Sequence, residues 1–126
     1  MSFTVKTEIF NQRIQDLLCC ALEGGSNYWC RQHSFRYPEG KGKDDYTYRH
    51  LEVALDGGIQ VLAEDCGDGQ VSITHELTRE VIQAGLELFS KFEPKYHFVN
   101  FINENEDAET GDVFLQLCLL DEVKYG

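Results

Sequence analysis

Positive charge is scarce in this 126-residue chain, which has 11 Lys and Arg residues against 22 Asp and Glu residues. The formal net charge of −11 has the wrong sign for neutralising a phosphate backbone, so we expect no direct binding of nucleic acid. No apolar run approaches the roughly 20 residues that a membrane span needs, and the first residues lack the apolar core of a signal peptide. We therefore expect a cytoplasmic protein without membrane contact, folded as a single domain over residues 1–126.

The spacing patterns of metal and disulfide sites are also missing. The five cysteines are odd in number, and a bridge between the adjacent Cys19 and Cys20 would be strained. The sequence has no C-x-x-C pair, and no histidine stands at a spacing from a cysteine that would suggest zinc. We expect reduced thiols, no metal and no cofactor.

No catalytic motif is evident. Cys66 in a glycine-rich turn is the best-placed nucleophile, but the carboxylates of Glu64, Asp65 and Asp68 disfavour a reactive thiolate there. The Gly24-Gly25-Ser26 stretch follows a predicted helix and has no P-loop lysine, so it does not indicate a phosphate site. We predict that the protein is not an enzyme.

Apolar periodicity predicts an α+β domain with an antiparallel sheet and about three helices. A first strand is expected over residues 2–7, and a helix from Phe10 to the double glycine at residues 24–25. Residues 27–37 are predicted to form a strand. The other expected elements are an exposed loop at residues 38–45, a short strand at residues 70–74 and a helix that begins after Thr78 and stops before Pro94.

The clearest local pattern is a predicted β-hairpin around Asp56-Gly57-Gly58. Residues 48–64 contain two alternating runs on either side of this turn sequence, which is typical of a hairpin. One face of the hairpin would carry the apolar side chains of Leu51, Val53, Leu55, Ile59 and Val61.

A last helix is predicted from Asp107 or Thr110 to Val123, with its acids in the first turn, where the helix dipole favours them. Its apolar residues point in nearly every direction around the axis, so the helix is either buried or part of an interface. Because full burial of a terminal helix is hard in a short chain, we expect a homo-oligomer. The residues predicted for that interface are Leu115, Leu119 and Leu120.

Negative charge is concentrated in the second part of the chain. Residues 1–49 hold seven bases and six acids, whereas residues 50–126 hold four bases and sixteen acids. This asymmetry indicates either a solvated surface that aids solubility or an acidic patch for a basic partner. The residues predicted to form such a patch are Glu104, Glu106, Asp107, Glu109 and Asp112.

Cations and aromatic side chains are interleaved between residues 28 and 49. Together such side chains stack on a base and pair with a phosphate, which makes a nucleotide site an alternative prediction. Core packing of the aromatics beside an ordinary surface loop is the simpler interpretation. The candidate ligand-binding residues are Tyr28, Trp29, Arg31, Arg36 and Arg49.

Three stretches carry a resemblance to known proteins: DLLCCALEGGSNYWC at residues 16–30, LTRE at residues 77–80 and NEDAETGDVFLQLCLLDEVKYG at residues 105–126. Through them the chain resembles a family of small uncharacterised proteins of phages, prophages and other mobile elements. It departs from the family pattern at Leu120-Asp121, where relatives tend to have Phe-Gly. The resemblance implies no catalytic residues, but it implies a setting in which small accessory proteins often block or divert host defence.

These observations favour a non-enzymatic accessory protein of a phage or mobile element. We expect it to bind a host protein, such as a CRISPR effector, and to cover its nucleic-acid-binding surface with the acidic patch. The alternative is a protein that sequesters a nucleotide signal between subunits.

Overall fold

The computed structural model describes residue 3 and residues 8–65 and 73–126. The helices are α1 (Asn11–Cys20), which continues as a π-helical turn (Ala21–Gly25), α2 (Arg49–Glu52), α3 (Arg79–Lys91), α4 (Tyr96–Ile102) and α5 (Ala108–Leu120), with a 3-10 turn at Lys43–Asp45. The strands are β1 (Cys30–Arg36), β2 (Ile59–Glu64) and β3 (Ile73–Leu77).

The three strands form an antiparallel sheet in the order β1-β2-β3. Cys30 of β1 pairs with Glu64 of β2, which in turn pairs with Ile73 of β3. The register between β1 and β2 shifts after Gln32, where a bulge redirects the following side chains. The predicted α+β class with an antiparallel sheet is therefore confirmed.

The predicted hairpin around Asp56-Gly57-Gly58 is wrong. Residues 49–52 are helical and residues 53–57 form turns, so only the second run becomes a strand. Both edges of β2 are taken by β1 and β3, which leaves no edge for residues 48–55 to pair with. The buried Gln60 side chain holds that segment instead, because its Oε1 accepts from the Ala54 amide at 3.0 Å and its Nε2 donates to the His50 carbonyl at 2.9 Å.

Several other predicted elements are confirmed where the structure describes them. α3 begins after Thr78, whose hydroxyl accepts from the Val81 amide at 3.2 Å, and it ends before Pro94. The strand predicted from residue 27 begins only at Cys30. The strand predicted over residues 2–7, the first part of the strand at 70–74 and Cys66 lie outside the described residues.

Helix α5 lies at the centre of the core. Residues 110–118 are all buried against α1, the π-helical turn, α3, α4 and β3. Phe89 of α3 contacts Phe101 of α4 and Phe114 of α5, with ring centroids 6.0 and 5.6 Å away. Each such fully buried side chain stabilises the fold by about 1.5–3 kcal/mol. The described residues contain five α-helices where about three were predicted, because α2 and α4 are too short for a clear apolar period.

Burial of α5 also corrects one interface residue. Leu115 has no solvent-exposed surface, so it cannot contact a second subunit in this fold. Leu119 and Leu120, in the last turn of α5, are partly buried against the chain's own core. The apolar character of this helix is therefore explained by packing within one chain.

Candidate functional site

The five acids of the predicted patch do not share one surface. Glu104, Asp107 and Glu109 are exposed around the start of α5, whereas the Glu106 side chain is largely buried and Asp112 is only 7% exposed. A partner that contacts this surface therefore meets three of the five carboxylates directly.

Glu106 is held by Arg13 of α1. Its two carboxylate oxygens accept from Nη1 and Nη2 of Arg13 at 2.7 and 3.0 Å. The Arg13 guanidinium also donates to the Phe101 carbonyl and lies 4.9 Å from the centre of the Phe101 ring. The hydrogen bonds from Arg13 lower the pKa of Glu106 more than burial raises it. Glu106 is thus a bridge between α1 and the segment before α5.

Asp107 is the N-cap of α5. Its Oδ1 accepts from the Thr110 amide at 2.9 Å, and this bond lowers the pKa of the Asp107 carboxyl. Glu109, in the first turn of the helix, has its carboxylate 3.4 Å from the Tyr96 hydroxyl of α4. The two carboxylates therefore differ, since Asp107 stabilises the helix start while Glu109 faces solvent beside α4.

Asp112 accepts hydrogen bonds from four side chains. Its Oδ1 accepts from the Ser26 hydroxyl at 2.8 Å and from the Trp29 indole at 2.7 Å. Its Oδ2 accepts from the Tyr28 hydroxyl at 2.6 Å and from the Gln116 amide at 3.1 Å. Without such donors a buried carboxylate would be strongly unfavourable. Sequence reasoning missed this role, although an aspartate within an otherwise apolar helical run was a signal for it.

Two of the three stretches that carry the resemblance, residues 16–30 and 105–126, pack against each other. A Cβ placed on Gly25 would lie 2.0 Å from the Ala108 carbonyl oxygen, and one on Gly111 would lie 2.6 Å from the Cys20 Cβ. Together with the bonds to Asp112, these close approaches join the π-helical turn and the start of β1 to α5. The two stretches therefore form one structural unit.

The residues predicted for a nucleotide site are dispersed. Trp29 is buried and its indole N–H is used by Asp112. Arg31 forms an ion pair with Asp65, Arg36 forms one with Glu76, and Arg49 donates to the Tyr37 hydroxyl. The described residues do not bring the five candidates to one pocket.

Of the five candidate residues, Arg49 lines a pocket beside β1 and α2. The pocket has a volume of about 460 Å³, and Phe35, Tyr48 and His50 contribute aromatic rings to it. The Arg49 guanidinium lies 4.8 Å from the centre of the Phe35 ring. This pocket offers a cation and ring faces, which are the groups that bind a flat anionic ligand.

Sequence reasoning did not identify a row of exposed apolar side chains on α4. In α4, Tyr96, Val99 and Ile102 follow at intervals of three residues and are 50%, 49% and 47% exposed. We call these three residues the α4 stripe. The only sequence signal was an apolar patch around residues 98–102, which did not show which side faces solvent.

A groove adjoins the α4 stripe at Ile102. It has a volume of about 860 Å³ and lies between α3, α4 and residues 8–10. Its apolar lining comes from Ile9, Phe10, Leu86, Phe98 and Ile102, and its carboxylates come from Glu8 and Glu87. The groove and the α4 stripe therefore share Ile102, and Glu8 and Glu87 place carboxylates at the groove margin.

The described thiols are poorly suited to nucleophilic catalysis. Burial, assisted by Glu23, raises the pKa of Cys19 to about 11, and burial raises the pKa of Cys30 to about 12. Within residues 8–65 and 73–126, no group of three or more His, Cys, Asp and Glu side chains could hold a metal ion.

In the part of the chain that the structure describes, no helix is both long and apolar enough to cross a membrane. Comparison of the chain with protein-family models, with curated proteins and with solved structures finds no match.

Proposed function

We propose that this protein is a non-enzymatic binding protein that inhibits a host macromolecule by covering a basic, nucleic-acid-binding surface. The α4 stripe is the observation that carries the proposal. Single exposed apolar side chains are common on proteins, but a row of three beside an apolar groove is typical of an interaction surface. The resemblance to proteins of mobile elements favours a host defence component, such as a CRISPR effector, as the partner.

The charge around this surface favours a basic partner. Glu8 and Glu87 lie at the groove, and Glu104 lies two residues beyond the end of α4. None of these three carboxylates forms an ion pair with another described residue. Unpaired carboxylates around an apolar centre attract Lys and Arg and accelerate association at low salt.

The apolar lining and the marginal carboxylates of the groove favour one kind of segment in that partner. An amphipathic helix with apolar residues on one side and Lys or Arg on the other would place its apolar side against Leu86, Phe98 and Ile102. Its cations would then face the carboxylates at the groove margin. A helix used this way by the partner is no longer available to hold phosphates.

The test is competition with DNA on purified CRISPR effector complexes. Each complex is mixed with the protein, then with labelled target DNA, and bound DNA is measured at low and high salt. We expect inhibition that weakens as salt rises. Replacing the two acids at the groove margin, Glu8→Gln with Glu87→Gln, should weaken inhibition about tenfold at low salt.

Two further variants make this test specific. The matched control replaces two exposed acids outside the groove, Glu39→Gln with Asp44→Asn, and should inhibit like the wild type. Val99→Asp places a charge in the α4 stripe without opening a cavity and should abolish inhibition. The proposal is wrong if the margin variant and Val99→Asp both inhibit as strongly as the wild type.

A nucleotide-sequestering protein is the second candidate, supported by the pocket that Phe35, Tyr48, Arg49 and His50 line. Native mass spectrometry of gently purified protein tests it, because one spectrum reports both oligomeric state and retained ligand. A nucleotide-sized added mass that is lost in Arg49→Ala and kept in Arg31→Ala would favour this candidate. A spectrum with no added mass would leave the macromolecular partner as the proposal.

A further inference from the structure

Residues 121–126, which we call the closing segment, fold back over a polar cluster at the end of α5. The turn is made at Asp121, which has a left-handed φ of 62°. Gln116 then binds the backbone of the segment: its Oε1 accepts from the amides of Lys124 and Tyr125, both at 2.8 Å, and its Nε2 donates to the Tyr125 carbonyl at 3.1 Å. One buried amide side chain therefore pairs with both backbone donors and a backbone acceptor.

The side chains of the closing segment meet two further groups. The Tyr125 ring stacks on the Trp29 indole, with centroids 5.3 Å apart and planes inclined by 16°. The Tyr125 hydroxyl donates to the buried carboxylate of Glu64, and Nζ of Lys124 lies 3.4 Å from the same carboxylate. The face of the Trp29 ring therefore binds the ring of Tyr125, and the Glu64 carboxylate binds both the Tyr125 hydroxyl and the ammonium of the preceding Lys124.

The closing segment is held by buried side chains of the protein, as a bound peptide ligand is. Between residues 122–126 and the rest of the described chain there is no hydrogen bond that joins two main-chain atoms. The segment is held by the side chains of Gln116, Trp29 and Glu64, which are themselves buried and fixed by other elements. Gln116 and Trp29 both donate hydrogen bonds to Asp112, and these bonds fix the orientation of the two side chains.

We infer that Gln116, Trp29 and Glu64 form a peptide-binding site for a Lys-Tyr segment, which the chain's own closing segment occupies, and that a Lys-Tyr peptide of another chain binds there when the closing segment is released. A segment on the same chain has an effective concentration in the millimolar range, so it strongly opposes a competing peptide. Weakening the closing segment should therefore reveal the site. This inference is independent of the α4 stripe and the groove.

The experiment uses the full chain with Tyr125→Ala, which removes the ring and the hydroxyl but leaves the site intact. The probe is a synthetic peptide with the sequence of residues 121–126, DEVKYG. Since Trp29 is the only tryptophan, its fluorescence reports directly on stacking by a tyrosine ring. We expect saturable binding of the peptide to the variant, at least tenfold tighter than to the wild type, with emission restored to that of the wild type.

Two control peptides test the chemistry of recognition. A peptide with Ala in place of Tyr should not bind the Tyr125→Ala protein, because it brings no ring to Trp29. A peptide with Phe in place of Tyr keeps the stacking but has no hydroxyl for Glu64, and it should bind about tenfold more weakly than the tyrosine peptide.

A second variant keeps the test decisive if Tyr125→Ala fails to fold. Lys124→Glu changes an exposed side chain and places a like charge beside Glu64. We expect faster hydrogen exchange of the amides of residues 124 and 125 than in the wild type, and the DEVKYG peptide should make it faster still, because the bound peptide takes Gln116 from them. Exchange in α5 should stay unchanged. The inference is overturned if the folded variants bind no peptide at millimolar concentration and the peptide leaves the exchange of these amides unchanged.

Discussion

Trp29 donates its indole N–H to Asp112 at 2.7 Å, so the residue just before β1 is tied to the middle of α5. The same carboxylate accepts from three more side chains, and all of these donors lie within residues 16–30 and 105–126, two of the three stretches that carry the resemblance. The relationship makes one buried aspartate the common partner of two segments that are more than 80 residues apart in sequence.

Removing this carboxylate should be strongly destabilising. We expect Asp112→Ala to lower the free energy of unfolding by about 3–5 kcal/mol, because buried donors lose their acceptor. Glu109→Ala, an exposed position on the same helix, should change it by less than about 0.5 kcal/mol. Urea unfolding followed by circular dichroism measures both, and equal effects at the two positions would contradict the role of Asp112.

The Arg13–Glu106 pair makes stability depend on pH. The pKa of Glu106 is lowered in the folded state, so its contribution is present above the ordinary glutamate pKa of about 4.3 and is lost as the pH falls through the folded-state value. We expect Arg13→Met to cost about 2 kcal/mol at pH 7 and much less at pH 3. Denaturant unfolding of wild type and variant at both pH values is the measurement, and a cost independent of pH would count against this account.

Adjacent glycines should respond differently to the same substitution. A Cβ on Gly25 would meet the Ala108 carbonyl oxygen at 2.0 Å, whereas a Cβ on Gly24 would have no atom within 4 Å. We expect Gly25→Ala to destabilise the protein by about 3 kcal/mol and Gly24→Ala to be neutral or slightly stabilising. Thermal unfolding of the two variants checks this, and a neutral Gly25→Ala would show that the turn and α5 are not so close.

The buried thiols should be unreactive while the protein is folded. With a pKa of about 12, Cys30 is less than about one part in a thousand thiolate at pH 8, and burial raises the pKa of Cys118 as well. We expect no labelling of Cys30 and Cys118 by an aromatic disulfide reagent until the chain unfolds. Peptide mapping by mass spectrometry locates the label, and native labelling of Cys30 at the rate of free cysteine would refute the expectation.

The elements that sequence reasoning predicted correctly depend on local patterns. Thr78 and Asp107 cap the starts of α3 and α5, and the apolar spacing that follows each cap predicts a helix. The hairpin failed because alternation in residues 48–55 says nothing about which strand takes the edge of β2. In the fold β1 and β3 take the two edges of β2, and the Gln60 side chain bonds to the backbone of Ala54 and His50, which holds that segment out of the sheet.

The candidate site was less predictable than the fold. Counting acids along the chain grouped Glu104 with Asp112, yet one faces solvent and the other is buried beneath Tyr28 and Trp29. Similarly, an apolar patch at residues 98–102 gave no indication that Val99 and Ile102 face solvent while Phe101 faces the core. Whether a side chain faces solvent or the core depends on the helices that pack beside it, and the residues of those helices come from distant parts of the chain.

The charge excess, the α+β class and the helices that begin at strong caps follow from the amino-acid sequence alone, because charge, caps and apolar periods act between near neighbours. The packed fold was needed to show that Asp112 is a buried acceptor, that α5 is covered by its own chain and that the α4 stripe is exposed. These outcomes depend on which surfaces exclude water from one another, and that is settled by contacts between residues far apart in sequence.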